Sequence, residues 1–221
     1  MPKPDTALIV AYRRFAKQVM RQREIFLLAL DGKYTLDNHT PLINRSGAWY
    51  CLIRLHDAWA DFCRSVILLS AGGGVLTRGG TIVARSPLVG AGDDALTVLK
   101  TQWKRKRLGS MQKQGPPVYL PSVAITAAQL LSIGNLAQFS AGIGASNTNA
   151  PIELRACRNY LAHRHVDTAL DPDLALLRIR IGSPAWILDP DQLAARRVGG
   201  GITLFEEWCI DLDLLASAAI G

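Results

Sequence analysis

Lysine is scarce in this chain of 221 residues, with seven against eighteen arginines. Charged residues amount to 19% in all, and 25 basic against 18 acidic side chains leave a formal net charge of +7. A surplus carried by arginine leans toward a polyanionic partner, because a guanidinium binds phosphate bidentately and stacks on bases, whereas an ammonium supplies a point charge. Cysteine is sparse too. Cys51, Cys63, Cys157 and Cys209 form no CxxC or other metal-ligand spacing, and the length of the chain excludes a disulfide-stapled miniprotein. Cys51 and Cys63 fall on one expected helix about 18 Å apart, too far to bridge. Reduced, buried thiols are the expectation.

Long apolar runs are also missing. The most apolar stretch, Val66 to Leu76, is too short for a bilayer span and is broken by glycines. The opening Met1-Pro2-Lys3-Pro4-Asp5 has no apolar core of a signal peptide, so a cytoplasmic protein without membrane contact is expected. Neither glycine cluster between Gly72 and Gly92 is followed by Gly-Lys-Ser/Thr, so no P-loop is present. What remains is a 49% apolar chain long enough for a full hydrophobic core, which excludes wholesale disorder. One domain over residues 1–221 is expected.

Apolar residues recur at helical spacing through Leu8, Tyr12, Phe15, Val19 and Phe26, with a gap at Gln22, and Arg13, Arg14, Lys17 and Arg21 gather on the other side. A polar linker, Lys33 to Arg45, precedes a second helix from about Ser46 to Ser70. Its stripe is Trp49, Leu52, His56, Trp59, Cys63 and Ile67, while Arg54, Asp57, Asp61 and Arg64 share another face. His56 among apolar positions reads as a hydrogen-bonded core histidine. Residues 72–121 read as an insertion: a hairpin or excursion about Arg78-Gly79-Gly80, a short helix from Asp93 to Trp103, and a basic loop, Lys104-Arg105-Lys106-Arg107. With Trp103 as an aromatic platform, that loop is a candidate RNA-binding element; the plain alternative is a solvated loop. Pro121-Ser122 opens a third helix, Val123 to about Ile143, and Asn149 caps a fourth that ends near His165. Alternation at Leu177-Arg178-Ile179-Arg180-Ile181 predicts a short β-hairpin over 172–190. A last helix covers about Thr203 to Ala219. The fold class expected is mainly α, a bundle of four to five helices with a central insertion and that hairpin.

The fourth helix carries the chemistry. With Arg158 at zero and about 100° per residue, Arg155, Asn159 and His163 fall within about 140° of it, and Leu154, Cys157, Tyr160 and Leu161 occupy the opposite arc. Two arginines, an amide and an imidazole thus share one face. Metal-free RNA cleavage needs a base for the attacking 2′-hydroxyl, an acid for the leaving 5′-oxygen and a cation for the developing charge, and imidazole and guanidinium fit those roles. One histidine per chain is short by one, which a two-fold homodimer facing two such helices supplies.

The run Arg158-Asn159-Tyr160-Leu161-Ala162-His163 resembles the Arg-Asn-x-x-x-His signature of the HEPN superfamily (higher eukaryotes and prokaryotes nucleotide-binding). The resemblance is strict over about fifteen residues, and such a triplet is expected by chance about 0.01 times in a chain of this composition. It implies an all-α bundle whose motif helix pairs with its copy in a homodimer, forming a composite, metal-independent endoribonuclease site that needs no cofactor. It implies RNA as substrate, a toxin or antiphage-defence role, and an antitoxin or sensor protein as a further partner. By position Arg158 and His163 are the catalytic pair, with Asn159 as polar support; Arg155, His165 and Asp57 are candidate supporting residues. Members paired with a nucleotidyltransferase antitoxin carry a tyrosine two places after the motif histidine, where this chain has His165.

Three other readings stand beside this one. His163-Arg164-His165-Val166-Asp167 has the look of a metallo-hydrolase run, although residues i and i+2 of a helix do not face each other. A catalytically silent module of the same family would bind nucleotide or RNA, or act as an adaptor. In the blandest reading, Arg158 and His163 merely pair with Asp57 or Asp61.

Overall fold

A computed structural model of the chain describes residues 8–30, 42–108, 115–144, 148–163, 171–183 and 189–221. Among the described residues there are nine α-helices: α1 Leu8–Leu30, α2 Leu42–Gly72, α3 Ala95–Arg105, α4 Pro121–Leu130, α5 Leu136–Gly144, α6 Ala150–His163, α7 Pro172–Arg180, α8 Pro190–Ala195 and α9 Leu204–Ile220. The protein is mainly helical, and β-structure among the described residues is limited to two isolated antiparallel bridges. No helix of the described residues is long and apolar enough to cross a membrane.

The chain divides into two compact units, and α1, α2 and α9 each contribute a stretch to both. The first unit holds the chain up to Ala16, Trp59–Asn147 and Asp213–Gly221. Its core is built on the ring cluster of Phe15, Trp59 and Phe62, whose centroids lie 5.0 to 5.9 Å apart. The Trp59 indole donates to the Tyr119 carbonyl at 2.8 Å, so a buried N–H is satisfied at the start of α4. Residues 72–121 all belong to this unit and bury Val75, Val83, Val89, Leu99, Trp103 and Val118 in its core. The excursion about Arg78-Gly79-Gly80 is a short hairpin: Gly74 N–H donates to Val83, Val83 N–H to Val75 and Thr77 N–H to Thr81.

The helix expected over Val123–Ile143 is two helices. The composition is small and apolar throughout, so periodicity gives no warning of the break. Ser132 takes a left-handed φ of 49°, and Gly134 lies so close to the hairpin that a Cβ would stand 2.7 Å from the Ala84 carbonyl oxygen. α5 then approaches α9 through Gly142, where a Cβ would meet Ala219 N at 2.4 Å.

The second unit holds Lys17–Ala58 and Thr148–Leu212. Phe26 and Phe205 stack at 4.1 Å, and α6 packs on α7 and α8. Glu153, 4% exposed, accepts from Arg180 Nε and Nη2 and from the Trp208 indole, each at 2.8 Å. Thr203 and Glu206 form a reciprocal cap at the start of α9: Glu206 Oε2 accepts the Thr203 N–H at 3.0 Å, and Thr203 Oγ1 accepts the Glu206 N–H at 3.2 Å.

The β-hairpin expected over 172–190 is not formed: Pro172–Arg180 is helical. Asp171 caps it by accepting the Asp173 N–H, Pro172 sits in its first turn, and Leu174 and Leu177 are buried at a spacing of three. The alternation of arginine and isoleucine is misleading because Ile179 is 76% exposed and does not face the core. Residues 184–188 of that prediction lie outside the described residues.

Candidate functional site

Helix α6 starts where Thr148 Oγ1 accepts the Ala150 N–H at 3.1 Å while donating to the Asp211 carboxylate. The carbonyl of Asn149 accepts from Ile152 and Glu153, both at 2.9 Å, so Asn149 stands at the capping position that the sequence indicates. Leu154, Ala156 and Cys157 are fully buried. Arg155, Arg158 and Asn159 are half-buried and His163 is exposed, so the division of the helix into a core side and a polar side holds. Tyr160 and Leu161, placed with the core in the sequence reading, are only half-buried.

The four polar residues of that face do not have equal freedom. Arg155 is fastened to α7 by an ion pair with Asp173, with Asp171 at 3.8 Å, so its guanidinium ties two helices together. The Asp-Pro-Asp capping signature of α7 is the local sequence sign of that partner. Arg158 forms no such ion pair with another described residue; its Nε, like that of Arg155, is buried without a hydrogen-bond partner among the described residues. His163 stands in the last turn of α6.

Asp57 brings α2 into the electrostatics of the site. His56, 6% exposed, is a core histidine with its Nδ1 3.4 Å from Asp57 Oδ1. Hydrogen bonding from His56 holds the Asp57 carboxyl below its ordinary value. Burial opposes this, and the charges of His56, Arg158 and Arg54 reinforce it. Asp57 therefore lies in the field of Arg158. Asp61 is taken up by Arg64 at 3.0 Å on the exposed side of α2.

His165 lies outside the described residues, as do Arg164 and Asp167. Among the described residues no group of three His, Cys, Asp or Glu side chains is arranged to hold a metal ion. The four cysteines are buried and form no disulfide. Burial pushes the Cys51 thiol up to about 12, and burial with the nearby Glu153 charge raises Cys157 as well, so neither supplies a thiolate nucleophile. A cavity of about 710 Å³ in the second unit, lined by Leu27, Leu28 and Leu30 of α1 and by Glu206, includes none of the motif residues.

The basic run belongs to the first unit. Lys104 and Arg105 form the last turn of α3 and Lys106 and Arg107 follow it, all four exposed. Trp103 is 4% exposed, packed inward one position before the run. An aromatic platform for a base is therefore not what it provides. Its ring serves instead to anchor α3.

Comparison with protein-family models, with curated proteins and with solved structures yields no match.

Proposed function

We propose that the chain is a metal-independent endoribonuclease of the HEPN type, acting as a homodimer that brings two copies of α6 together. The observation that carries the reading is the polar face of α6, where Arg158, Asn159 and His163 are accessible while Leu154 and Cys157 fasten the opposite side to the core. In this reading His163 of one protomer takes the proton of a ribose 2′-hydroxyl, whose oxygen attacks the adjacent phosphorus. The bond from phosphorus to the 5′-oxygen breaks, and the partner's His163 returns a proton to that oxygen. The products are a 2′,3′-cyclic phosphate and a 5′-hydroxyl. Arg158 stabilises the extra negative charge on the phosphoryl oxygens, a role suited to a half-buried guanidinium on the polar face of α6. Asp57 orients Arg158 from α2, and Arg155 holds α6 to α7.

The test is incubation of the purified protein with labelled RNA in EDTA beside His163→Ala and Arg158→Ala. Each substitution is expected to reduce cleavage by about 10² to 10⁴-fold. Equal cleavage by all three proteins would remove the assignment. RNA binding without any cleavage would instead favour the silent module, and activity abolished by EDTA and restored by zinc or manganese would favour the metallo-hydrolase run.

A further inference from the structure

The net charge of the chain is not spread evenly. Among the described residues the first unit carries ten basic side chains against four acidic, and the second eleven against ten. Nearly the whole surplus therefore sits in the unit that lacks the α6 motif. Within it the densest concentration is the end of α3, where four cations occupy consecutive positions and, among the described residues, no ion pair or hydrogen bond engages their side chains.

That cluster is held in a fixed place. Asp94 caps α3 by accepting the Leu96 and Thr97 N–H groups, and Leu99 and Trp103 bury one side of the helix. At the other end Arg107 N–H donates to Lys104 at 3.0 Å and Leu108 N–H to Trp103 at 3.3 Å, the pattern of a Schellman cap. The residue in the left-handed position of that cap, with φ 53°, is Arg107 where glycine is the usual occupant. A left-handed L-residue costs about 1 kcal/mol. Crowding four like charges adds to that cost and the negative end of the helix dipole offsets part of it. A solvated helix end needs none of this: glycine at 107 would close the same cap with less strain and less repulsion.

We propose that the basic end of α3 is a docking surface for the phosphate backbone of RNA, blind to base sequence. It rests on the ribonuclease reading for the identity of the polyanion. Sequence-blindness follows from the side chains present. Lys104, Arg105, Lys106 and Arg107 address phosphates, and the one aromatic residue beside them, Trp103, is turned into the core and offers no face to a base. Capture at α3 is thereby separate from chemistry at α6.

The experiment is anisotropy titration of short fluorescent 2′-O-methyl oligonucleotides, uridine-rich and adenine-rich, over a range of salt. These probes resist 2′-hydroxyl attack, so binding is read whether or not the protein cleaves RNA. The wild type is expected to bind both probes within about threefold of each other. Replacing Lys104, Arg105, Lys106 and Arg107 together by Ala is expected to lower the slope of log affinity against log salt by about 2 to 3. Arg107→Gly, which relieves the left-handed position and so keeps the fold, is expected to lower it by about 0.7. An unchanged slope in both variants, a strong preference for one probe, or tighter binding to vesicles of phosphatidylserine and phosphatidylcholine in equal parts would overturn the proposal. Loss of cleavage in His163→Ala with binding intact leaves capture standing. Intact cleavage at saturating RNA in the fourfold variant leaves the α6 reading standing.

Discussion

The two units treat charge in opposite ways. In the second, acidic and basic residues nearly balance and lock onto each other across elements: Arg23 with Glu206, Arg45 with Asp189 and Asp191, Arg155 with Asp173, Arg180 with Glu153 and Glu207. In the first, close-range packing does that work, through the rings of Phe15, Trp59 and Phe62 and the approach of Gly142 to α9, while most cations face solvent. Charge in one unit holds helices together, and in the other most of the basic residues, the end of α3 above all, are exposed. Arg155 and Arg158 repeat the contrast within one helix, since a single turn separates an arginine paired with Asp173 from one that forms no ion pair with another described residue.

If ion pairs hold the second unit, its buried carboxylate should matter most. Glu153→Ala strips the partner from Arg180 and from the Trp208 indole, and since Arg180 is 36% exposed and can turn to water, a loss of about 2 to 3 kcal/mol is expected. Urea unfolding measures it, and a loss below about 0.5 kcal/mol would show the network to be ornamental. In the first unit the sensitive position is a contact without charge. Gly142→Ala places a methyl group against the Ala218–Ala219 backbone, and a cost of about 2 kcal/mol is expected in the same assay. An unchanged stability would mean that α5 and α9 move apart freely.

A smaller effect is expected at the cap of α9. Thr203→Ala should cost about 1 kcal/mol. The cap also carries a pH signature. Burial opposes ionisation of Glu206, but the Thr203 N–H and the Arg23 guanidinium outweigh it and hold the carboxyl below its ordinary value of 4.5. A depressed carboxyl stabilises the fold above 4.5 and loses that contribution as pH falls through the lower folded value. Stability of the wild type should therefore decline on acidification below 4.5, and Glu206→Gln should flatten that part of the profile. A parallel decline in both proteins would place the acid sensitivity elsewhere, Asp57 being the next candidate.

Much of the helical framework is legible in the sequence. The α2 stripe from Leu52 through Ile67 is buried where periodicity puts it, and Gln22, which interrupts the α1 pattern, is simply carried along as a buried polar residue at 2% exposure. Periodicity fails where composition is uniform, as between α4 and α5, and where alternation mimics a strand, as in α7. The motif face on α6 is readable because a helical wheel is local geometry. The Arg155 pair with Asp173 and the field of Arg158 at Asp57 depend on which helix packs on which, and no local pattern carries that. Trp103 shows the same limit from the other side: the four residues that follow it are all exposed cations, yet its ring is in the core.

The proposed reaction is attack by a ribose 2′-hydroxyl at the Arg158, Asn159 and His163 face. The most direct measurement is the chemistry of the cut ends when the wild type meets an RNA and its 2′-O-methyl counterpart in EDTA. Cleavage of the RNA alone, leaving 2′,3′-cyclic phosphate and 5′-hydroxyl ends, is the predicted result. Cleavage of the 2′-O-methyl strand, or 5′-phosphate ends on the RNA products, would contradict it.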